Sequence, residues 1–135
     1  MKVYISYSHA DEAVAQKLAK ALESAGLETW YAKTGIFPGD NWAEEVAQAL
    51  RESEAMIILL SPQALNSNYV RHDISYALGE PRFRNRLIPV VIGPQNKIPL
   101  ENIPGILRRF QMLELSDNGN EAEYNKITQA LAAAA

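Results

Sequence analysis

Tyr69, Asp73 and Tyr76 stand at spacings of four and three residues. On a helix these side chains share one stripe, about 100° round from the apolar stripe Val70, Ile74, Ala77 and Leu78. An acid flanked by rings on its own helix face is a candidate functional carboxylate. The alternative is a solvated aspartate between two boundary tyrosines. Aspartate is a mediocre helix former, so its place in mid-helix invites a reason. Other chemistries fall away. The chain has no cysteine, which excludes thiolate metal sites, iron–sulfur clusters and cysteine nucleophiles. No Gly-x-Gly-x-x-Gly follows the first strand, and no phosphate-binding Gly-x-x-x-x-Gly-Lys-Ser/Thr or serine-hydrolase Gly-x-Ser-x-Gly occurs. His9 and His72 lie far apart without a supporting ligand cluster, so no metal site is expected. A phosphoacceptor aspartate would have to follow the third strand, which instead ends Leu60-Ser61-Pro62. What remains is the chemistry of one carboxylate.

The elements that position it are legible from patterning. Val3 to Tyr7, Leu27 to Tyr31, Ala55 to Leu60 and Leu87 to Ile92 read as strands, with a weaker fifth at Gln111 to Leu115. The third has no polar alternation, so both its faces should be covered. Between the strands, His9-Ala10-Asp11 opens a helix with Val14, Leu18, Ala21, Leu22 and Ala25 on one face, stopped by Gly26. Asp40 or Asn41 caps the next, with Trp42 one turn before Val46 and with Ala49 and Leu50 completing its stripe. Further helices are expected from Asn68 to Leu78 and from Glu121 to Leu131. Strands alternating with helices imply right-handed crossovers, hence an α/β flavodoxin-like three-layer fold. Its five-stranded parallel sheet should run in the order 2-1-3-4-5 with helices on both faces. Ligands should then bind beyond the carboxyl ends of the strands near the first and third.

The 135 residues, 47% hydrophobic and 21% charged with a formal charge of -3, fit one globular domain spanning 1–135. That charge offers no basic footprint for nucleic acid. No apolar run approaches the roughly 20 residues that span a bilayer, and no signal-peptide pattern opens the chain. A soluble, cytoplasmic, single-domain protein without nucleic-acid or membrane partners is the expectation. Arg71, Arg82, Arg84 and Arg86 read as a solvated face.

Taken in order, the motifs resemble those of a Toll/interleukin receptor (TIR) domain. Val3-Tyr4-Ile5-Ser6-Tyr7-Ser8-His9-Ala10-Asp11 is similar to the family's opening box, an apolar strand running into Ser-Tyr and a helix-capping Asp. Gly26 to Tyr31 resembles its second strand. Ile36-Phe37-Pro38-Gly39-Asp40-Asn41-Trp42 resembles the Pro-Gly loop that the family calls the BB loop. Ala55 to Pro62 and Arg86 to Val90 match the third and fourth strands. Ser67-Asn68-Tyr69-Val70-Arg71-His72-Asp73-Ile74 falls where the family has Ser-x-Trp-x-x-x-Glu-Ile. The resemblance covers nearly the whole chain.

The resemblance implies one of two roles. Some members are interaction modules that bind other TIR domains. Others, many of them bacterial, cleave NAD+ at the nicotinamide–ribose bond, giving ADP-ribose or cyclic isomers, often in antiphage defence. In those enzymes the functional carboxylate is the Glu of Trp-x-x-x-Glu, which falls here on Asp73, with Tyr69 for the Trp. Asp73 therefore ends about 1.5 Å short. Ala32 stands where many members carry an acid. NAD+ is implied as substrate, with no other cofactor, contacted by Tyr7, Ser8, His9, Trp42 and Tyr69. Asp73 should occupy a cleft beyond the strand ends near Tyr7 and Tyr69, and Asp73→Ala should leave the melting temperature nearly unchanged. Ser8 and the adjacent backbone should meet the phosphates. Ile36, Phe37, Pro38, Gly39 and Asp40 are implied as the loop of homotypic assembly. A nucleoside deoxyribosyltransferase, with a related fold and a carboxylate nucleophile, is the more distant alternative.

Overall fold

Strands and helices alternate along the chain as β1 (Lys2–Ser6), α1 (Glu12–Ser24), β2 (Glu28–Trp30), α2 (Trp42–Glu52), β3 (Ala55–Leu60), α3 (Pro62–Leu65), α4 (Asn68–Gly79), β4 (Leu87–Ile92), β5 (Leu113–Leu115) and α5 (Glu121–Ala134). The computed structural model describes residues 1–32, 42–83, 85–93, 103, 105–107, 110, 112–116 and 119–134. The strands form one five-stranded sheet in the order β2-β1-β3-β4-β5, with every neighbouring pair parallel. This is the flavodoxin-like α/β architecture that the alternation of elements implies.

Strand periodicity divides the core into two layers. Val3, Ile5, Ala55, Ile57 and Leu59 face the layer that holds Leu18 and Leu22 of α1 and Ile127 and Leu131 of α5. Tyr4, Met56, Ile58 and Leu60 face the other, with Val46 and Leu50 of α2 and Val70 and Ile74 of α4. All six residues of β3 and of β4 are buried, as covered central strands require.

Several boundaries differ from the sequence expectation. A short 3-10 turn over His9–Asp11 precedes α1. The buried residues of α1 are Ala15, Leu18, Ala19 and Leu22, so the face is centred on Ala15 and Ala19 as well as the two leucines, with Val14 packed at its margin and Ala25 exposed. Gly26 ends the helix with φ at 90°, where a side chain would be strained. The turn α3 was not anticipated, although Ser61 accepts the Ala64 N–H at 3.0 Å and Pro62 opens it. Arg82 is not merely solvated. Its guanidinium donates to the carbonyls of Leu50 at 3.1 Å and Ser53 at 3.3 Å, and to that of Arg51, closing the carboxyl end of α2.

Candidate functional site

Helix α4 carries the candidate acid. Ser67 caps it by accepting the Val70 N–H at 3.3 Å. Val70, Ile74 and Ala77 bury the apolar stripe against the sheet. Asp73, three residues after Val70, is thereby turned towards β1. The aspartate is wholly buried, at 0% exposure. The reading of a solvated acid on a helix face therefore falls, and so does that of an acid lying open in a cleft.

Its carboxylate is held by two hydroxyls of β1. Ser6 donates to Oδ2 at 2.8 Å and Tyr4 donates to the same oxygen at 3.0 Å. Tyr4 and Tyr69 are joined hydroxyl to hydroxyl at 2.5 Å. A phenol has one proton, and an ionised carboxylate can only accept, so Tyr4 donates to Asp73 and accepts from Tyr69. The polarity runs Tyr69 to Tyr4 to Asp73. The second oxygen, Oδ1, has no donor among the described residues. His72 Nδ1 stands 3.9 Å from it on a largely exposed ring, beyond hydrogen-bond reach.

Burial disfavours the charged acid and pushes Asp73 up to about 6, against the opposing pull of the Ser6 and Tyr4 hydroxyls and the nearby His72. The same burial, reinforced by the Asp73 charge, drives Tyr4 and Tyr69 well above the ordinary phenol range. Both therefore remain protonated donors at neutral pH.

Ser6 is the last residue of β1 and pairs with Ile58 of β3. Asp73 thus lies at the carboxyl end of β1, beside the reversal in strand order where open α/β sheets bind ligands. At the same edge, Ser61 donates to the carboxylate of Asp11. Asp11 does not cap α1 through its side chain as the motif implies. With Glu12 it places two acids at the start of α1, already complementing the positive end of the helix dipole.

The other candidate residues are dispersed around this edge. Tyr69 joins Asp73 through Tyr4. Tyr7 packs in the opposite core layer with Val3 and Ile5, and its hydroxyl donates to the Ala32 carbonyl. Burial, with the charge of Glu12, pushes that phenol up to about 12. Ser8 is half-buried, its carbonyl accepting the Asp11 N–H at 2.7 Å, and His9 is exposed. Trp42 begins α2, but its side chain lies outside the described residues. Ile36, Phe37, Pro38, Gly39 and Asp40 lie outside them entirely.

Tyr4 and Ser6 were missed at the level of sequence. The signal was period two: in Val3-Tyr4-Ile5-Ser6 the two hydroxyls occupy alternate positions, hence one face of a buried strand. Hydroxyls directed into a core require a partner. No groups of three or more histidines, aspartates or glutamates able to hold a metal occur among the described residues.

A parallel sheet in this order, covered by helices on both faces, with its polar cluster at the carboxyl end of β1, defines a flavodoxin-like domain. The family model "TIR domain" matches residues 3–131, and the chain belongs to that family. A curated relative is the stimulator of interferon genes protein of Magallana gigas, 28% identical over 118 residues. That match takes in 85% of this chain and 28% of the oyster protein, so the chain spans little more than a quarter of that relative. The structure of a metazoan TIR-STING receptor from C. gigas superposes with a TM-score of 0.76 at 26% identity, covering 96% of this chain and 38% of that one. The TIR domain of a Toll-related receptor from Hydra magnipapillata superposes at 0.64 and 26% identity, over 83% of this chain and 82% of the other. Among the described residues, no helix is long and apolar enough to cross a membrane.

Proposed function

We propose that this TIR domain cleaves NAD+ at the nicotinamide–ribose bond, with Asp73 as the carboxylate beside the reacting ribose. The observation that carries the reading is the asymmetry of Asp73. It is a buried acid at the carboxyl end of β1, with Oδ2 held by two hydroxyls and Oδ1 lacking a donor among the described residues. The reaction asks for little more. As the glycosidic C–N bond breaks, its electron pair goes to the cationic nicotinamide, which leaves neutral and needs no general acid. The ribose becomes oxocarbenium-like, as in glycoside hydrolysis, and a nearby carboxylate stabilises the charge. Water then completes hydrolysis, or a nucleophile of the adenine closes a cyclic product. With Asp73 near 6, the acid is mostly ionised at neutral pH, as this role demands.

Because Asp73 is sealed, the substrate must open a path to Oδ1. Self-association through residues 33 to 40 supplies that step in this reading, so assembly with further TIR domains gates the activity. The reading places the domain, spanning 1–135, in the cytoplasm, in NAD+-consuming defence or signalling. A second reading, a TIR interaction module without catalysis, is favoured by the full burial of Asp73, which suits a structural hydrogen-bond hub equally well. Incubation with NAD+ separates the two. The first expects nicotinamide release that Asp73→Asn abolishes, and the second expects none at any protein concentration.

A further inference from the structure

We propose that Tyr4 and Ser6 are positioning residues that clamp Oδ2 of Asp73 and so reserve Oδ1 as the single oxygen offered to the ribose. This deepens, and rests on, the reading of Asp73 as the reacting carboxylate. Aspartate has two equivalent oxygens and a short arm, so in an open site it would present either oxygen over a range of angles. Here both hydroxyls of β1 converge on one oxygen, at 2.8 and 3.0 Å. Two fixed donors on a central strand set both the tilt of the carboxylate and the oxygen that stays free. The strand is rigid, since β1 is paired on both sides, with β2 and with β3. The Tyr69 hydroxyl, bonded to Tyr4 at 2.5 Å, orients the Tyr4 proton towards Asp73.

The clamp also acts on the charge. Donors to a carboxylate favour its ionised form, so Tyr4 and Ser6 oppose the burial that raises Asp73 to about 6. Among the described residues, the groups facing Asp73 are Tyr4 and Ser6 from β1 and Tyr69 and His72 from its own helix. Elements α2 and β3 contribute apolar side chains to the same layer, including Val46, Leu50, Ile58 and Leu60. Removing either hydroxyl should therefore raise the titration point of Asp73.

The test is carbon-13 NMR titration of the Asp73 carboxyl in the wild-type chain, Tyr4→Phe and Ser6→Ala, with nicotinamide release followed on the same samples. Tyr4→Phe retains the ring and its packing, so it keeps the fold. Both variants should titrate higher than wild type. The acid limb of kcat should move with the titration, and kcat on the acid side should drop roughly tenfold while KM changes little. A packing role alone would leave the titration point and the limb where they are. Identical Asp73 titration in all three proteins would overturn the clamp. A raised titration in both variants with no nicotinamide release from wild type would establish the clamp and reject the NAD+ reading.

Discussion

A carboxylate that burial holds at about 6 works against the fold once it ionises. Between its ordinary 3.8 and that raised value, the folded chain binds a proton that the unfolded chain has lost. Protonation therefore stabilises, fully below the lower value, and the benefit disappears as pH rises through about 6. The difference approaches roughly 3 kcal/mol. Asp73→Asn, neutral at every pH, should match or exceed wild-type stability at neutral pH, and the gap should close on acidification. Thermal melts of the pair across pH check this. Asp73→Ala is a different lesion: it opens a cavity and strands the Tyr4 and Ser6 hydroxyls, with an expected loss of about 2–4 kcal/mol in denaturant unfolding. The expectation of an unchanged melting temperature presupposed an exposed acid, and burial removes that premise. Asp73→Glu should also destabilise, because the extra methylene must displace the Tyr4 hydroxyl at 3.0 Å. Adding Tyr4→Phe should recover part of that loss, a coupling that a double-mutant cycle reads directly.

At the scale of elements, the carboxyl end of α2 has a partner that local patterning does not reveal. Arg82 reaches from the turn after α4 to three carbonyls at the end of α2. Arg82→Lys keeps the charge but loses the planar fork, so it should cost about 1 kcal/mol in urea unfolding. The contact joins residues about 30 positions apart, which is why the sequence reads Arg82 only as one of several surface arginines. The strands were legible because β3 and β4 are uninterrupted apolar runs and β1 is β-branched and aromatic. The turn α3 carried its own signal in Ser61-Pro62, although the same pair also reads as a strand ending. In α1 the helical period was legible, but the choice between adjacent apolar faces depends on where the sheet lies. Asp73 was visible as an acid among rings. Its hydroxyl partners were not, because they sit 69 and 67 residues earlier and meet it only through the β1–α4 packing.

For the whole molecule, the account joins a sealed acid to a TIR fold and to assembly. If neighbouring copies open the site, nicotinamide release per molecule should rise with protein concentration and level off once assemblies form. Phe37→Ala should suppress that rise, checked by activity and light scattering on the same samples. A formal charge of only -3 does little to oppose association of like chains. The single most direct measurement is the pH dependence of nicotinamide release from NAD+ by wild type and Asp73→Asn at an assembling concentration. The account predicts release by wild type that falls as pH drops through about 6, while stability relative to Asp73→Asn rises over the same range. Asp73→Asn should be at least about a hundredfold slower at neutral pH, with the gap narrowing as wild type protonates on acidification. Equal release by the two proteins, or none from wild type at any pH and concentration, would contradict it.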